Sequence, residues 1–191
     1  MSAIWYWVRH GPTHQKGFTG HRDVPADLSD TAALGRLSAY LPEGALIVSS
    51  DLIRAVTTAD AIAAARHRLP NTPALREFDF GTWDGLTFDT IAARDPDLSR
   101  AYWEQPGDIA PPGGESWNAA AARIRPFVDE MNTAHPGRAI IAVAHVGVIL
   151  TQLCRATGKT PAETLAQHID NLSVTRLTFG PGAADPVNYR P

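Results

Sequence analysis

Two arginines, two histidines and a glutamate lie at the ends of four separate predicted strands of this sequence. Arg9 and His10 come directly after "AIWYWV", Arg54 lies one turn into the helix predicted after "ALIVSS", and Glu77 and His145 follow "PALR" and "AIIAVA". An arginine pair binds a phosphate dianion through paired hydrogen bonds and stabilises its charge. A neutral imidazole is a competent nucleophile, and a carboxylic acid can protonate a leaving alkoxide. Together these residue types predict phosphoryl transfer.

The elements that must position these residues alternate between strands and helices. Strands are predicted at 3–8, 45–50, 73–77, 139–145 and 171–179, and helices at 29–42, 52–69, 87–94, 97–104, 115–135 and 146–158. This alternation favours an α/β fold, a three-layer sandwich with a mostly parallel central sheet and helices on both faces. Ligands bind outside the carboxyl ends of the strands in such sheets, and the five reactive residues fall at those ends.

The length of the chain is enough for one compact domain, so residues 1–191 are expected to form a single domain. Residues 78–114 have no regular period and contain "FDFGTWDG" and the turn "PPGG". We expect this segment to be a small insertion that caps the site or forms one wall of its pocket.

Several local features predict where elements begin and end. Ser29 is expected to cap the first helix, and Ser50 or Asp51 the second. Pro126 predicts a kink or a boundary in the third long helix. The strand at 171–179 is expected at an edge of the sheet, where it could pair with a second copy to give a dimer. The last dozen residues, rich in Pro, Gly and Ala, are expected to form a loose tail.

The charge of the chain excludes several kinds of partner. There are 17 basic and 20 acidic residues, and the formal net charge is −3. This balance argues against a nucleic-acid surface and against a polybasic membrane anchor, so any positive site must be local. No apolar run is long enough to span a membrane, and the N-terminus lacks the pattern of a secretory signal. A soluble, cytoplasmic protein is therefore expected.

A metal site is the first alternative to consider, because His10, His14 and His21 lie close together in the sequence. Gly11 and Pro12 prevent the helix that would place the first two histidines on one face. We therefore predict neither a metal nor another cofactor.

Three other motifs are weaker. Cys154, the only cysteine, lies in an apolar run and is expected to be a buried, inert thiol. The "GKT" at 158–160 is half of a P-loop, because Leu153 stands where the first glycine is needed. Trp83, Trp103 and Trp117 are expected to pack rather than to stack on bases.

Four stretches resemble, in family order, the motifs of the histidine phosphatase superfamily, in its phosphoglycerate mutase-like branch. They are "VRHGPT", "SSDLIRAVTTA", "LREFDFGTWDG" and "VAHVGVI", and they extend over residues 4–150. The resemblance implies that His10 is the nucleophile that becomes phosphohistidine. It implies that Arg9, Arg54 and His145 hold the transferring phosphoryl group, with no metal. Glu77 would be the general acid for the leaving group and then the base that activates water.

The chain departs from the family pattern at two positions. Val146 replaces the first of two glycines that usually follow the last histidine, and its side chain could narrow the pocket. Lys16 stands where the family often has asparagine, and it could contact phosphate. The short stretch "FTG" resembles a mutase element, so Thr19 and Gly20 are further candidates for substrate binding.

The identity of the general acid is open at this stage, because Asp79 and Asp84 lie near Glu77 in the sequence. The protonation state of His10 is more constrained. An attacking imidazole must be neutral, and neighbouring arginines disfavour its cation, so we predict a lowered pKa and activity that persists into mildly acidic solution.

Within the family, the sequence favours a phosphatase that acts on a small phosphorylated metabolite. A mutase must also bind a substrate carboxylate and keep water from the phosphoenzyme, which usually requires extra cationic residues and a larger cap. A mutase-type phosphoryl transferase remains the alternative. An alternative of another class is a non-catalytic protein that binds a phosphorylated ligand.

Overall fold

A computed structural model of the chain describes residues 2–179 and 184–191. Within these residues one five-stranded sheet has the order β3-β2-β4-β1-β5. The strands are β1 (Ile4–Arg9), β2 (Leu46–Ser49), β3 (His67–Arg68), β4 (Ala139–Ala144) and β5 (Val174–Leu177). The first four pair with one another in parallel, and β5 pairs antiparallel with β1 at one edge. The predicted α/β fold with a mostly parallel sheet is confirmed.

The described residues form seven α-helices around this sheet. They are α1 (Thr31–Tyr40), α2 (Ile53–Ile62), α3 (Phe88–Arg94), α4 (Pro96–Glu104), α5 (Trp117–Ala134), α6 (Val146–Thr157) and α7 (Pro161–Leu165). Trp5 and Trp7 of β1 pack with α5 and α6 on one face of the sheet, whereas Val8 packs with α1 and α2 on the other. Side chains alternate between the faces of a strand, so one strand supplies both cores, and the three layers follow. None of the described helices is long and apolar enough to cross a membrane.

The register of β1 and β4 brings the reactive histidines to one edge. Val8 lies opposite Val143, and Arg9 lies opposite Ala144. The backbone N–H of His10 then donates to the carbonyl of Ala144 at 3.1 Å. His145 is the next residue, so both histidines leave the sheet at the same level.

The segment after β2 differs from its prediction. Helix α2 ends at Ile62, not near residue 69, and Ala64 has a φ of 48°, in the left-handed region that ends a helix. His67–Arg68 instead pairs with β2 as the edge strand β3. The strand predicted at 73–77 is also wrong, since Pro73–Leu75 forms a 3-10 turn. The alanine-rich run has a high helix propensity, but the open edge of β2 offers backbone partners that override it.

The predicted helix caps are also corrected. Asp30, not Ser29, caps α1, because its carboxylate accepts a hydrogen bond from the N–H of Ala33 at 2.9 Å. Pro126 is no boundary, since α5 continues through it from Trp117 to Ala134.

Helix α2 has no side-chain cap from its own start, so the prediction of Ser50 or Asp51 is wrong. Asp23, distant in sequence, accepts the N–H of Ile53 at 2.6 Å. The carboxylate of Asp51 instead forms a two-point ion pair with Arg76.

The end of the chain is not a loose tail where the structure describes it. Val174 and Tyr189 exchange two backbone hydrogen bonds of 2.8 and 2.9 Å, and the N–H of Arg176 donates to the carbonyl of Pro186 at 2.9 Å. The outer edge of β5 that the sequence offered to a second copy is therefore occupied by the chain itself. Residues 180–183 of the predicted tail lie outside the described residues.

The segment 78–114 contains both predicted short helices, α3 and α4. It has a small apolar cluster of its own, in which Trp83, Ile91 and Tyr102 are buried. This cluster holds the two helices as a unit beside the carboxyl ends of the strands, where residues of α4 face the site.

Candidate active site

Three of the five predicted site residues line one cavity at the carboxyl edge of the sheet. The cavity has a volume of about 490 Å³, and Arg9, His10 and Glu77 are in its wall. His145 and Arg54 are both fully buried next to them. The ring centroids of His10 and His145 are 5.0 Å apart. The structure therefore brings the predicted set together, with Arg54 and His145 behind the residues that face the cavity.

His10 is held in the tautomer that a nucleophile needs. Its Nδ1–H donates to the carbonyl of Gly11 at 2.7 Å, so the lone pair is on Nε2. The side chain is buried, and the pKa of His10 is lowered to about 3, first by this burial and then by the charge of Arg54. The predicted direction is confirmed. The main cause of the lowered pKa is burial of the imidazole away from water, and the arginine charges are a smaller cause.

Two residues that the sequence analysis did not select hold the backbone around His10. Thr58 Oγ1 accepts the N–H of Gly11 at 3.0 Å, and Asn171 Nδ2 donates to the carbonyl of His10 at 2.8 Å. Thr58 lies in the second family-like motif, which was a usable signal. Asn171 had no such signal, because it comes from the end of the chain.

The segment that carries Asn171 is itself tied to the C-terminal residues. The backbone N–H of Asp170 donates to Asn188 Oδ1 at 2.6 Å, and Asn188 Nδ2 donates to the Asp170 carboxylate at 3.0 Å. Arg9 Nη1 donates to the carbonyl of Ile169 at 2.6 Å. One short segment thus orients both the nucleophile and the arginine beside it.

His145 is neutral, and one of its ring nitrogens is left as a hydrogen-bond donor. Its Nδ1 accepts a hydrogen bond from Arg54 Nε at 3.2 Å, so the proton is on Nε2. Burial, followed by the charges of His10 and Arg54, holds the pKa of His145 well below its usual value. Nε2 is buried and has no hydrogen-bond partner among the described residues. A buried donor left unpaired is costly, and a phosphoryl oxygen beside His10 would satisfy it.

The guanidinium of Arg54 holds neighbouring parts of the site in place through hydrogen bonds. Besides His145, its guanidinium donates to the carbonyls of Arg22 at 2.8 Å, Gly20 at 2.7 Å and Thr19 at 3.3 Å. It is not among the residues that line the cavity. Four hydrogen bonds to protein atoms fix His145 and the 19–22 segment while the positive charge stays behind the site.

Glu77 is the carboxylate of the cavity. It is 4% exposed, and this burial raises its pKa. Its oxygens accept the backbone N–H groups of Phe78 at 2.9 Å and of Gly147 at 3.1 Å. A Cβ on Gly147 would lie 2.5 Å from Glu77 Oε1, so a side chain at this position at the start of α6 would have to displace Glu77. Val146, the departure noted in the sequence, is half-buried and borders the cavity.

The other two carboxylates considered for the acid are used elsewhere. Asp84 accepts the N–H of Gly20 at 3.2 Å and pairs with Arg22 Nε at 3.0 Å. Asp79 accepts the N–H of Gly81 at 2.8 Å. Neither lines the cavity, in contrast to Glu77.

The three candidates for substrate binding are in different places. Thr19 lines the cavity, whereas Lys16 is exposed and is not part of the lining. Gly20 is buried, with its N–H bound to Asp84 and its carbonyl to Arg54. Its backbone is therefore structural.

The remaining sequence candidates are separate from the phosphoryl chemistry. His14 pairs with Asp27 at 2.8 Å, and His21 donates through Nε2 to the backbone carbonyl of Glu77 at 2.9 Å. Cys154 is half-buried rather than buried, its thiol contacts the carbonyl of Lys159, and burial raises its pKa. Two of the tryptophans expected to pack, Trp83 and Trp117, are buried, and Trp103 is half-buried in the cavity wall.

Comparison with known proteins gives a consistent set of matches. The family model of the histidine phosphatase superfamily (branch 1) matches residues 5–190. A glucosyl-3-phosphoglycerate phosphatase from Mycolicibacterium vanbaalenii is 35% identical, over 96% of this chain and 90% of its own. A 2,3-bisphosphoglycerate-dependent phosphoglycerate mutase from Brucella anthropi is 28% identical over 89% of both chains. The structure of mycobacterial glucosyl-3-phosphoglycerate phosphatase with VO3 has a TM-score of 0.79 and 31% identity over 92% of each chain.

Some relatives are much longer. The chain spans about half the length of three mycobacterial proteins that match 94% of it at 33% identity. One of them, from Mycobacterium tuberculosis, is named a bifunctional protein. The match to these proteins therefore concerns one part of each of them.

Proposed function

This chain belongs to branch 1 of the histidine phosphatase superfamily, and from that premise we propose that it hydrolyses small phosphomonoesters through a phosphohistidine intermediate. The observation that carries the proposal is the state of His10. The Gly11 carbonyl fixes its proton on Nδ1, and the ring lines the cavity with Arg9 and Glu77.

In the first step, Nε2 of His10 attacks phosphorus and the bond from phosphorus to the ester oxygen breaks. Glu77, whose pKa is raised by burial, gives its proton to the departing alkoxide. Arg9 and the Nε2–H of His145 donate to the phosphoryl oxygens, and Arg54 supplies positive charge from behind. These side chains stabilise the transition state without a metal.

In the second step, the Glu77 carboxylate accepts a proton from water, and the water oxygen attacks the phosphoryl group. The bond between phosphorus and His10 Nε2 breaks, and inorganic phosphate leaves. Glu77 is again protonated and the His10 lone pair is restored, so one water is consumed for each ester hydrolysed.

We propose further that residues 1–191 act as a single domain in the cytoplasm, with 78–114 as the cap over the site. The substrate is a small phosphorylated molecule. Support for the cap comes from Phe80, Tyr102 and Trp103, which line the cavity from this segment.

The test of the proposed function is phosphate release from a generic phosphomonoester by the wild type and by His10→Ala. We expect turnover by the wild type, none by the variant, and an acid-labile phosphoryl group on His10 in a rapidly quenched reaction. Equal turnover by the two proteins would overturn the covalent mechanism. Binding of phosphate without turnover by the wild type would favour the non-catalytic ligand-binding protein.

A phosphoglycerate mutase is the second candidate, because one of the relatives carries that name. Incubation with 3-phosphoglycerate and a bisphosphoglycerate primer separates the two reactions. A phosphatase gives free phosphate, whereas a mutase gives 2-phosphoglycerate.

A further inference from the structure

The cavity changes character away from its phosphoryl end. Beyond Arg9, His10 and Glu77, its wall contains six aromatic side chains: Phe18, Phe78, Phe80, Tyr102, Trp103 and Trp117. Five leucine, isoleucine and valine side chains also line it, and its polar side chains beyond the phosphoryl end are those of Thr13, Gln15, Thr19, Gln167 and His168. Within the described residues Arg9 is the one arginine of the lining, and no lysine is part of it.

The aromatic wall is held in a fixed shape. Phe18 stacks on Trp103 with centroids 5.6 Å apart and planes 24° apart, and it also contacts Phe80 at 5.1 Å. Tyr102 meets the edge of Trp103 at 4.8 Å. Ring pairs of this kind need no ligand to order them, so the wall presents a preformed aromatic surface. Its buried polar atom is the indole N–H of Trp103, which has no hydrogen-bond partner among the described residues.

Three arginines near the site are paired with carboxylates, and Lys16 is exposed and is not part of the lining. Arg22 pairs with Asp84 at 3.0 Å, Arg76 pairs with Asp51 at 2.7 Å, and Arg123 pairs with Glu115 at 2.7 Å. His168 at the rim is largely exposed and contacts Asp170 at 2.9 Å. A second anionic group on a substrate would lose its water against the aromatic wall and meet no free cation there.

We infer that this site selects monoesters whose alcohol is uncharged and apolar or aromatic, and that it disfavours alcohols that carry a carboxylate. The inference rests on the proposed hydrolysis and names its substrate class. It separates this chain from the relatives named for phosphoglycerate esters, whose substrates are carboxylates.

Benzyl phosphate and 4-carboxybenzyl phosphate form a matched pair for the test. The carboxylate is remote from the ester oxygen, so the two leaving alcohols have similar acidity and kcat/KM reports recognition. We expect kcat/KM to be at least about 10-fold higher for benzyl phosphate, as an unpaired carboxylate implies. Hydrolysis of both esters with equal or reversed preference would overturn the inference and leave the proposed hydrolysis intact.

The selectivity can also be measured by binding alone, without turnover. Calorimetric titration of the wild type with benzylphosphonate and 4-carboxybenzylphosphonate should give the same order of affinity. If no ester releases phosphate but benzylphosphonate still binds more tightly than 4-carboxybenzylphosphonate, the proposed hydrolysis is rejected and the selectivity is supported. Equal affinity for the two phosphonates would reject the selectivity.

Two variants of Trp103 test whether the aromatic wall causes the preference between the esters. Trp103→Ala should lower kcat/KM for benzyl phosphate by about 10-fold, with a much smaller effect on methyl phosphate, which does not reach the wall. Trp103→Arg should raise the relative kcat/KM for 4-carboxybenzyl phosphate by a similar factor of about 10. Phe88→Ala removes an aromatic ring that is 54% exposed and outside the cavity, and it is the matched control. Equal losses on all three esters would contradict recognition by the wall.

Discussion

The backbone N–H of Gly147 and the carboxylate of Glu77 are joined at 3.1 Å, and the start of α6 thereby holds the proposed acid. Helix N-termini favour negative charge, and this bond opposes the rise in the Glu77 pKa that burial causes. The contact leaves no room for a side chain at Gly147.

Replacing Gly147 with alanine should therefore displace Glu77. We expect kcat to fall by about 100-fold, because a shift of about 1 Å in a catalytic group has an effect of this size. Steady-state kinetics on benzyl phosphate measures the change. Gly35→Ala is the control, because that exposed glycine of α1 has no atom within 4 Å of an added Cβ. Equal kinetics for Gly147→Ala and wild type would show that the position of Glu77 is not set by this contact.

Arg54→Lys should lower kcat/KM by about 10- to 100-fold although the charge is kept, since lysine lacks the planar fork. The present guanidinium orients His145 and the 19–22 segment through four hydrogen bonds. Arg125→Lys, on the exposed face of α5, is the matched control. Full activity in Arg54→Lys would mean that charge alone matters at this position.

The dependence of kcat/KM on pH should reflect the opposite pKa shifts that burial causes in His10 and Glu77. His10, with a pKa of about 3, stays neutral in mildly acidic solution. Glu77 must be protonated for the first step, so activity declines as the pH rises and Glu77 loses its proton. Its raised pKa shifts this decline to higher pH. Rates from pH 4.5 to 9 are to be corrected for the second ionisation of the phosphate ester, which has a pKa of about 6. A corrected rate that drops steeply between neutral pH and pH 5 would contradict a neutral His10.

The same environment links His10 to stability. Its pKa is 6.5 when unperturbed and about 3 in the folded protein, so between these values the unfolded chain binds more protons. Stability contributed by the neutral form is therefore present above pH 6.5 and lost as the pH falls toward 3. The loss in the free energy of unfolding from pH 7 to pH 5 should be about 2 kcal/mol smaller in His10→Gln. Urea unfolding at both values measures it.

His67→Gln is the control for that comparison, because the His67 side chain is exposed and forms no ion pair within the described residues. It should lose stability between pH 7 and pH 5 as the wild type does. An identical pH dependence in His10→Gln and the wild type would show that His10 is not buried in its neutral form.

The sequence was most informative where apolar strands end in reactive residues. Arg9, His10 and His145 follow buried parallel strands, and the sheet register places them as expected. It was least informative between 63 and 77, because the local propensity of "AAARH" favours helix while pairing with β2 decides the outcome. A strand of two residues has too short a pattern to be recognised.

The partners of the site residues were harder to predict than the residues themselves. Asn171 contacts His10 across 161 positions of sequence, and no local pattern encodes such a contact. The wall made by Phe18 and Trp103 likewise depends on how the 78–114 segment folds over the sheet. Individual aromatic residues are visible in the sequence, but the cavity they enclose is not.

The hydrogen bonds from Asn171 to His10 and from Asn188 to Asp170 have a consequence for biosynthesis. A ribosome makes the strand that carries His10 long before Asn171, because the two residues are 161 positions apart. Long-range contacts of this kind slow folding, and these contacts cannot form on a nascent chain that does not yet include Asn171 and Asn188. A chain released early would carry every reactive side chain of the proposed mechanism and still lack the geometry that makes them an enzyme.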